Sequence, residues 1–270
     1  PAAIIGGFVF GAGMVMAGGC ASGTYYRCGR GMLGSVAALV GFVIGTAMID
    51  GGALVGLQDR LRGATLEVGS GNGAQATVFA LLGLESALLR WLVIAALVIP
   101  AAIWAFRAPK QRFLIGWTWQ KTGIAVGVLA LAAWLLSAMQ GRNFGLSFTQ
   151  PTVALTRFIV GGDVSGLSVA SFIVAAVPIG AFLAAKVAGE AVLRFPDPKR
   201  FVRQFGGGVT MGAGASIAGG CNIGHSITGV STLGITAITS TAFIILGCWA
   251  MTWVIYQTES KRMKTERSTV

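Results

Sequence analysis

Five stretches of this chain are nearly free of charge and close to the length of a bilayer crossing: residues 32–49, 91–106, 121–139, 167–185 and 231–256. A helix needs about 20 mostly apolar residues to span the hydrocarbon core. The run from Trp91 to Phe106 is short and recruits residues before Trp91. Nothing else in the sequence restricts the fold so strongly. Inside a membrane each backbone polar group must find its partner within the protein, so apolar runs of this kind become helices. Composition agrees, since only 11% of residues are charged and mean hydropathy is +0.76. A soluble domain carries about a quarter charged residues. The expected fold class is therefore an all-α integral membrane protein in contact with the lipid bilayer.

A net charge of +11 could signal nucleic acid, but the Lys and Arg residues sit in short segments between the apolar runs. That is the usual position of cytoplasmic loops. No basic face with interleaved aromatics is available to track a phosphate backbone. The four cysteines, Cys20, Cys28, Cys221 and Cys248, have neither zinc-ligand nor Cys-x-x-Cys spacing, so no metal site is expected. No Ser-His-Asp order or Walker-type loop is present, and the formal G-x-G matches follow no strand pattern. The chain therefore reads as a non-enzyme without a cofactor. It has no initiator Met and enters an apolar segment at Pro1, and is expected to be N-terminally incomplete.

The strongest internal signal is a repeat. Residues 6–24 read GGFVFGAGMVMAGGCASGT and residues 207–225 read GGVTMGAGASIAGGCNIGH. At an offset of 201 they share ten of nineteen residues without a gap: seven Gly, two Ala and one Cys. Each copy precedes a longer apolar run, at 32–49 and 231–256. The expected unit is a short Gly-rich helix with a Cys at its end, a loop, and a spanning helix. The chain then divides into a first repeat at 1–106, a cytoplasmic linker at 107–120 and a second repeat at 121–270.

Charge assigns the sides. The segments 26–31, 107–121, 186–203 and 257–270 hold 2, 4, 5 and 4 Lys/Arg, whereas 50–73 and 140–166 hold 2 each. The positive-inside rule places the first group in the cytoplasm together with the C-terminus. The Cys20 segment must then run inward and the Cys221 segment outward. Such inverted repeats with short half-membrane helices are common in transporters. From Gly6 to Gly19 a helix covers only about 21 Å. The backbone after each Cys is expected to be non-helical at membrane depth, which is tolerated only where protein or a water-filled cavity receives it. Further short helices are expected at 74–89 and 151–161, and a cytoplasmic turn at 186–203.

Cys20 and Cys221 are the candidate pathway residues. Each ends a half-helix and follows two glycines, Gly18-Gly19 and Gly219-Gly220, which permit close backbone approach. Their thiols offer a weak S–H donor to a soft sulfur anion without a fixed charge in the membrane. The alternative is that they are small packing residues. Asn222 offers an amide donor. His225, the one histidine, aligns with Thr24 and reads as a hydrogen-bonding residue of the irregular segment or a solute contact. Cys248 reads as helix packing and Cys28 as a bystander in a basic loop.

The stretches GAGMVMAGGCASGTYYRCGRG at 11–31 and GGGVTMGAGASIAGGCNIGHSITG at 206–229, with GRNFGLSFTQP at 141–151, resemble the YeeE/YedE family of sulfur-compound transporters. The resemblance implies a helical transporter of the bacterial inner membrane that takes up thiosulfate through a narrow cysteine-lined pathway. Two of the family's pathway cysteines map onto Cys20 and Cys221; a further one, nearer the N-terminus, has no counterpart. It also implies a small TusA-like sulfur-carrier partner in the cytoplasm, docking on the basic inner loops. A selenium species is an alternative cargo. A membrane-embedded sulfurtransferase or redox protein using the same cysteines is an alternative function.

The charge count makes a direct prediction. A reporter fused after residue 257 will be active in the cytoplasm, and one fused within 50–73 will be active outside. Finding both on one side of the membrane would sink the inverted orientation.

Overall fold

The computed structural model describes residues 1–63, 77–81, 87–107, 118–142 and 144–268. In chain order its helices are α1 (Ala2–Ala17), α2 (Ala21–Gly29), α3 (Leu33–Asp50), α4 (Val55–Gly63), α5 (Val78–Leu81), α6 (Ala87–Arg107), α7 (Trp119–Met139), α8 (Thr149–Gly161), α9 (Val169–Val187), α10 (Pro198–Ala218), a π-helix (Ile223–Gly229) and α11 (Ile235–Ser268). No strand occurs among the described residues, so the all-α membrane class holds. Five segments are long and apolar enough to cross a membrane: Ala2–Gly29, Leu33–Asp50, Trp119–Met139, Val169–Val187 and Ile235–Thr258. The chain is a multi-pass membrane protein. As the sequence expects, α6 recruits residues before Trp91, and a short helix occupies Thr149–Gly161. The expected helix at 74–89 is represented among the described residues by α5 and the start of α6. Most of the expected linker at 107–120 lies outside the described residues.

The centre is a row of four helices in the order α11, α1, α10, α3. Glycine sets their separation. A Cβ at Gly6 would strike the backbone of Ala218, one at Gly207 the backbone of Ala17, one at Gly13 that of Met211, and one at Gly214 that of Phe10. The partner number falls as the α1 number rises, so α1 and α10 run antiparallel. The pairs are also reciprocal: adding 201 to Gly6, Ala17, Gly13 and Phe10 gives Gly207, Ala218, Gly214 and Met211.

The outer helices repeat the relation. Gly208 and Gly212 meet the backbone of Ala38 and Phe42 on α3, as Gly7 and Gly11 meet Ser240 and Ile244 on α11. Gly45 meets the Val209 carbonyl as Gly247 meets that of Phe8. Here the outer helices correspond at an offset of 202, one residue more than the inner ones. That register puts Cys248 in the place of Thr46. Its thiol donates to the Gly11 carbonyl at 3.3 Å, and the Thr46 hydroxyl donates to Val43 at 2.8 Å.

Glycine costs roughly 1 kcal/mol relative to Ala inside a helix. Lipid supplies no hydrophobic drive between helices, so the offset comes from dispersion between closely approaching backbones. Phe10, Phe42 and Met211 fill the spaces between the seams and are fully buried. By contrast, α6 and α7 carry exposed Trp91, Trp104, Leu129 and Leu131. A patch of that size would be a liability in water; here it is the lipid-facing surface.

Two local expectations are corrected. The 186–203 segment is not a turn throughout, because α10 begins at Pro198 behind an Asp197 N-cap. Proline suits the first helical position, where its missing N–H is not needed. Lys199, Arg200 and Arg203 therefore lie on the first turns of α10. The backbone after each Cys is also not irregular: it re-enters helix at once, as α2 and as the π-helix.

Gly11→Ala and Gly212→Ala should each destabilise the protein by about 1–3 kcal/mol, the usual cost of overpacking. Gly123→Ala and Gly127→Ala, whose added Cβ meets nothing within 4 Å, should leave it unchanged or slightly more stable. Thermal unfolding in detergent followed by size exclusion will show the contrast; equal midpoints would refute the seam.

Candidate functional site: the paired Gly-Gly-Cys turns

Each Gly-Gly-Cys stretch is a helix stop followed directly by a helix start. In the first copy Gly18 takes a left-handed conformation, φ 83°. Its N–H reaches Val15 O at 3.2 Å, and that of Gly19 reaches Met14 O at 2.8 Å. These two bonds form a Schellman motif, which glycine adopts without the steric cost of a Cβ. In the second copy Gly219 has φ 85°, and the Gly220 N–H reaches Ala215 O at 2.9 Å. Cys20 is then the N-cap of α2. The Cys20 carbonyl accepts from the Thr24 N–H at 2.8 Å, and the Cys221 carbonyl from the His225 N–H at 2.9 Å. Gly18 and Gly219 are thus explained by backbone conformation rather than by approach of a solute.

The second glycines make room for polar groups. A Cβ on Gly19 would collide with the Arg27 guanidinium, and one on Gly220 would come within 3.0 Å of His225 Nε2. His225 is buried and bonds to the backbone of Ala218, while its Nε2 has no partner. It therefore braces the second turn and leaves one ring nitrogen for another contact. Gln204 has a buried Oε1 without a partner, and its Nε2 lies 3.4 Å from where a Gly18 Cβ would sit.

Both thiols belong to one apolar cluster: Cys221 is fully buried in it and Cys20 packs against it. Cys221 Sγ accepts from the Phe148 N–H at 3.4 Å. Phe148 stacks obliquely on Tyr25, with ring centroids 5.5 Å apart, and the Tyr25 hydroxyl pairs with Thr152 at 2.8 Å. These contacts tie α2, α8 and the second turn into one unit. Ser22 donates to Cys20 Sγ at 3.8 Å. Asn222 follows Cys221 and accepts from Ser226 at 2.7 Å through Oδ1, a bond that does not use its NH2. Cys248 lies in the α1–α11 seam, and Cys28 sits half-buried on α2, not in a loop.

A cavity of about 490 Å³ opens beside this unit, lined by Arg142, Ser147, Gln150, Arg157 and Ser168 among others. Ser147 links it to the thiol: a Cβ on Gly224 would lie 3.0 Å from Ser147 Oγ and 4.0 Å from Cys221 Sγ. A neighbouring cavity of about 430 Å³ includes Asp50, Arg157 and Asp163. Ser165 donates to the exposed Asp163 carboxylate through hydroxyl and backbone N–H and holds its pKa below the ordinary range. Among the described residues no cluster of three His, Cys, Asp or Glu side chains could hold a metal.

Several residues here were not legible as site residues. Phe148 and Ser147 belong to GRNFGLSFTQP, a stretch that resembled the family without an evident role. Arg62 gave no sequence signal: it lies in α4, yet donates to the Ser216 carbonyl of α10 at 2.6 Å.

A multi-pass helical protein with two broken segments packed antiparallel against each other has an architecture common among transporters. The chain belongs to the family described as "Sulphur transport", which matches residues 1–250, and is a sulfur-compound transporter of the membrane. It is similar to the thiosulfate transporter TsuA of Escherichia coli (strain K12), 35% identical over 260 residues, covering 94% of this chain and 74% of that one. It is likewise similar to the thiosulfate transporter TsuA of Spirochaeta thermophila, 36% identical over 267 residues, covering 94% and 77%.

Proposed function

We propose that the protein imports thiosulfate, or a closely related small sulfur anion, past Cys221 and then Cys20. The observation that carries this reading is that the cysteines of two reciprocal Gly-Gly-Cys turns belong to one buried cluster, with Cys221 in the core and Cys20 packed against it. The names of the two relatives supply the substrate. Each unit runs antiparallel to the other, which supports inverted orientations in the bilayer and, with the charge count, a cytoplasmic C-terminus in a bacterial inner membrane. Gly18, Gly19, Gly219 and Gly220 shape the turns. Asn222 and His225 offer polar atoms beside Cys221. At the waist a thiol lends a weak donor to an oxyanion and a polarizable surface to its terminal sulfur, and holds neither tightly.

Cys20→Ala or Cys221→Ala should reduce thiosulfate uptake strongly while the protein stays folded and inserted. Ala preserves the small volume and removes the donor, at about 1–3 kcal/mol per lost partner. A barrier raised by that amount slows passage roughly 5- to 150-fold. Cys248→Ala should transport nearly as the parent does. The assay is growth, and uptake of labelled thiosulfate, in a bacterium lacking other sulfate and thiosulfate importers. Parental uptake by both Cys20→Ala and Cys221→Ala would reduce the thiols to packing residues.

On the inner side we place the docking surface for a TusA-like carrier at the start of α10. There Asp197, Pro198, Lys199, Arg200 and Arg203 line an open depression of about 670 Å³. Charge reversal at Lys199, Arg200 and Arg203 should abolish co-purification of the carrier. Unchanged co-purification would move the partner elsewhere.

A further inference from the structure

We infer that Arg27 and Arg62 are anion-positioning residues, one guanidinium at each Gly-Gly-Cys turn, which hold a sulfur oxyanion beside the adjacent thiol. The inference deepens the import reading and rests on it.

The need arises from helix direction. Both motif helices end at these turns and present C-terminal carbonyls there. A helix C-terminus carries roughly half a negative charge. For a passing anion that is the wrong end, and the helices that start at each Cys, α2 and the short π-helix, offset it only in part.

Each turn carries a cation that answers this. Arg27 NH1 donates to the Gly18 carbonyl at 2.5 Å and Nε to Gly23 at 3.1 Å, while NH2 lies against Gly19. Arg62 NH2 donates to Ser216 at 2.6 Å and stands 3.7 Å from the position of a Gly219 Cβ. One guanidinium therefore touches the residue before Cys20, and the other approaches two residues before Cys221. They come from different elements, α2 and α4, outside the stretch that the repeats share. The absence of a side chain at Gly19 is what admits Arg27.

Neither guanidinium is in an ion pair among the described residues, where the ion pair joins Arg30 to Glu190. Asp50 shares Ser216 with Arg62 and offsets part of its charge, but its carboxylate accepts from Gln58 and the Ser216 hydroxyl rather than from Arg62. A guanidinium has five N–H donors. Arg27 directs two of its bonds and Arg62 one to main-chain carbonyls, which leaves donors for an oxyanion. Because α1 and α10 are antiparallel, the two cations stand toward opposite ends of the pair. An anion would meet Arg62 before Cys221 and leave Cys20 past Arg27.

A helix cap and an anion guide differ in what they do to the local potential. The test uses the full chain with Cys28→Ser and Cys248→Ala, and with either Cys20 or Cys221 as the remaining thiol. Methanethiosulfonate reagents that are anionic (sulfonatoethyl), cationic (trimethylammonium-ethyl) or neutral (hydroxyethyl) are reacted with it and followed by mass spectrometry. Rates are normalised to a simple thiol in solution. In the parent the anionic-to-cationic ratio should exceed one at both thiols and fall toward one as salt screens the charge. Arg27→Gln should lower the ratio at Cys20 about fivefold or more, and Arg62→Gln should do so at Cys221. Arg→Lys at either position should keep the ratio within about twofold, and the neutral reagent should react equally with all variants. A salt-independent ratio near one in the parent, which requires no variant to fold, would overturn the inference. So would Gln variants whose ratios match the parent while the neutral reagent still reacts; that result leaves the thiol pathway standing and makes both arginines mere caps. If the neutral reagent reaches neither thiol in the parent, the pathway reading itself falls and takes this inference with it.

Discussion

Backbone contact along glycine seams is the constraint on which the rest of this structure depends. In lipid, two apolar helices gain little by hiding from their surroundings, so they must gain from touching. Gly6, Gly13, Gly207 and Gly214 bring the α1 and α10 backbones together, and Gly7, Gly11, Gly208 and Gly212 do the same for the flanking helices. Helix α1 is therefore enclosed by α11 on one side and α10 on the other. Only an element enclosed in this way can stop inside a membrane protein, because its terminal carbonyls must find partners other than lipid.

The stop itself follows from that enclosure. A Schellman turn at Gly18 or Gly219 satisfies part of the helix end and turns the chain, and Cys20 starts the next helix without a loop. What the turn does not satisfy is finished by side chains from outside it: Arg27 and Arg62 on the carbonyls, and His225 on Ala218. The unpaired His225 Nε2 and Gln204 Oε1 remain as buried polar atoms. Each such atom carries a desolvation cost in a closed core. Their presence around the two turns fits a centre that a polar solute visits better than one sealed for stability alone.

The spanning helices were legible because length and hydropathy are local properties. The run at 121–139 needs no knowledge of its neighbours to be read as α7. The repeat was legible because the seam glycines and the Gly-Gly-Cys turn must recur together if the contacts are to be reciprocal. Three features were hidden for a common reason. The start of α10 at Pro198 looked like a turn, since Phe195-Pro196-Asp197-Pro198 and the basic residues outweighed the helix that follows. The helices after each Cys were hidden because Thr24 and His225 serve as turn-bracing residues only in three dimensions. The Phe148–Cys221 contact spans 73 residues and the Arg62–Ser216 contact 154. No spacing rule reaches such distances.

The proposed arrangement of arginines and thiols divides two tasks that one residue cannot perform together. Drawing an anion toward a low-dielectric centre calls for positive charge, and charge acts at range. Letting the anion leave calls for weak contact, and a guanidinium that grips an oxyanion by two parallel bonds is not weak. A Lys or Arg at the waist would do the first at the expense of the second, and would cost a few kcal/mol at the bilayer centre even when empty. Placing the cations at the two turns and thiols between them separates attraction from passage. The guanidiniums remain bonded to carbonyls that need them whether or not cargo is present. In the pathway proposed above the thiols would touch the solute only in transit, so the centre could stay nearly neutral while its approaches are positive.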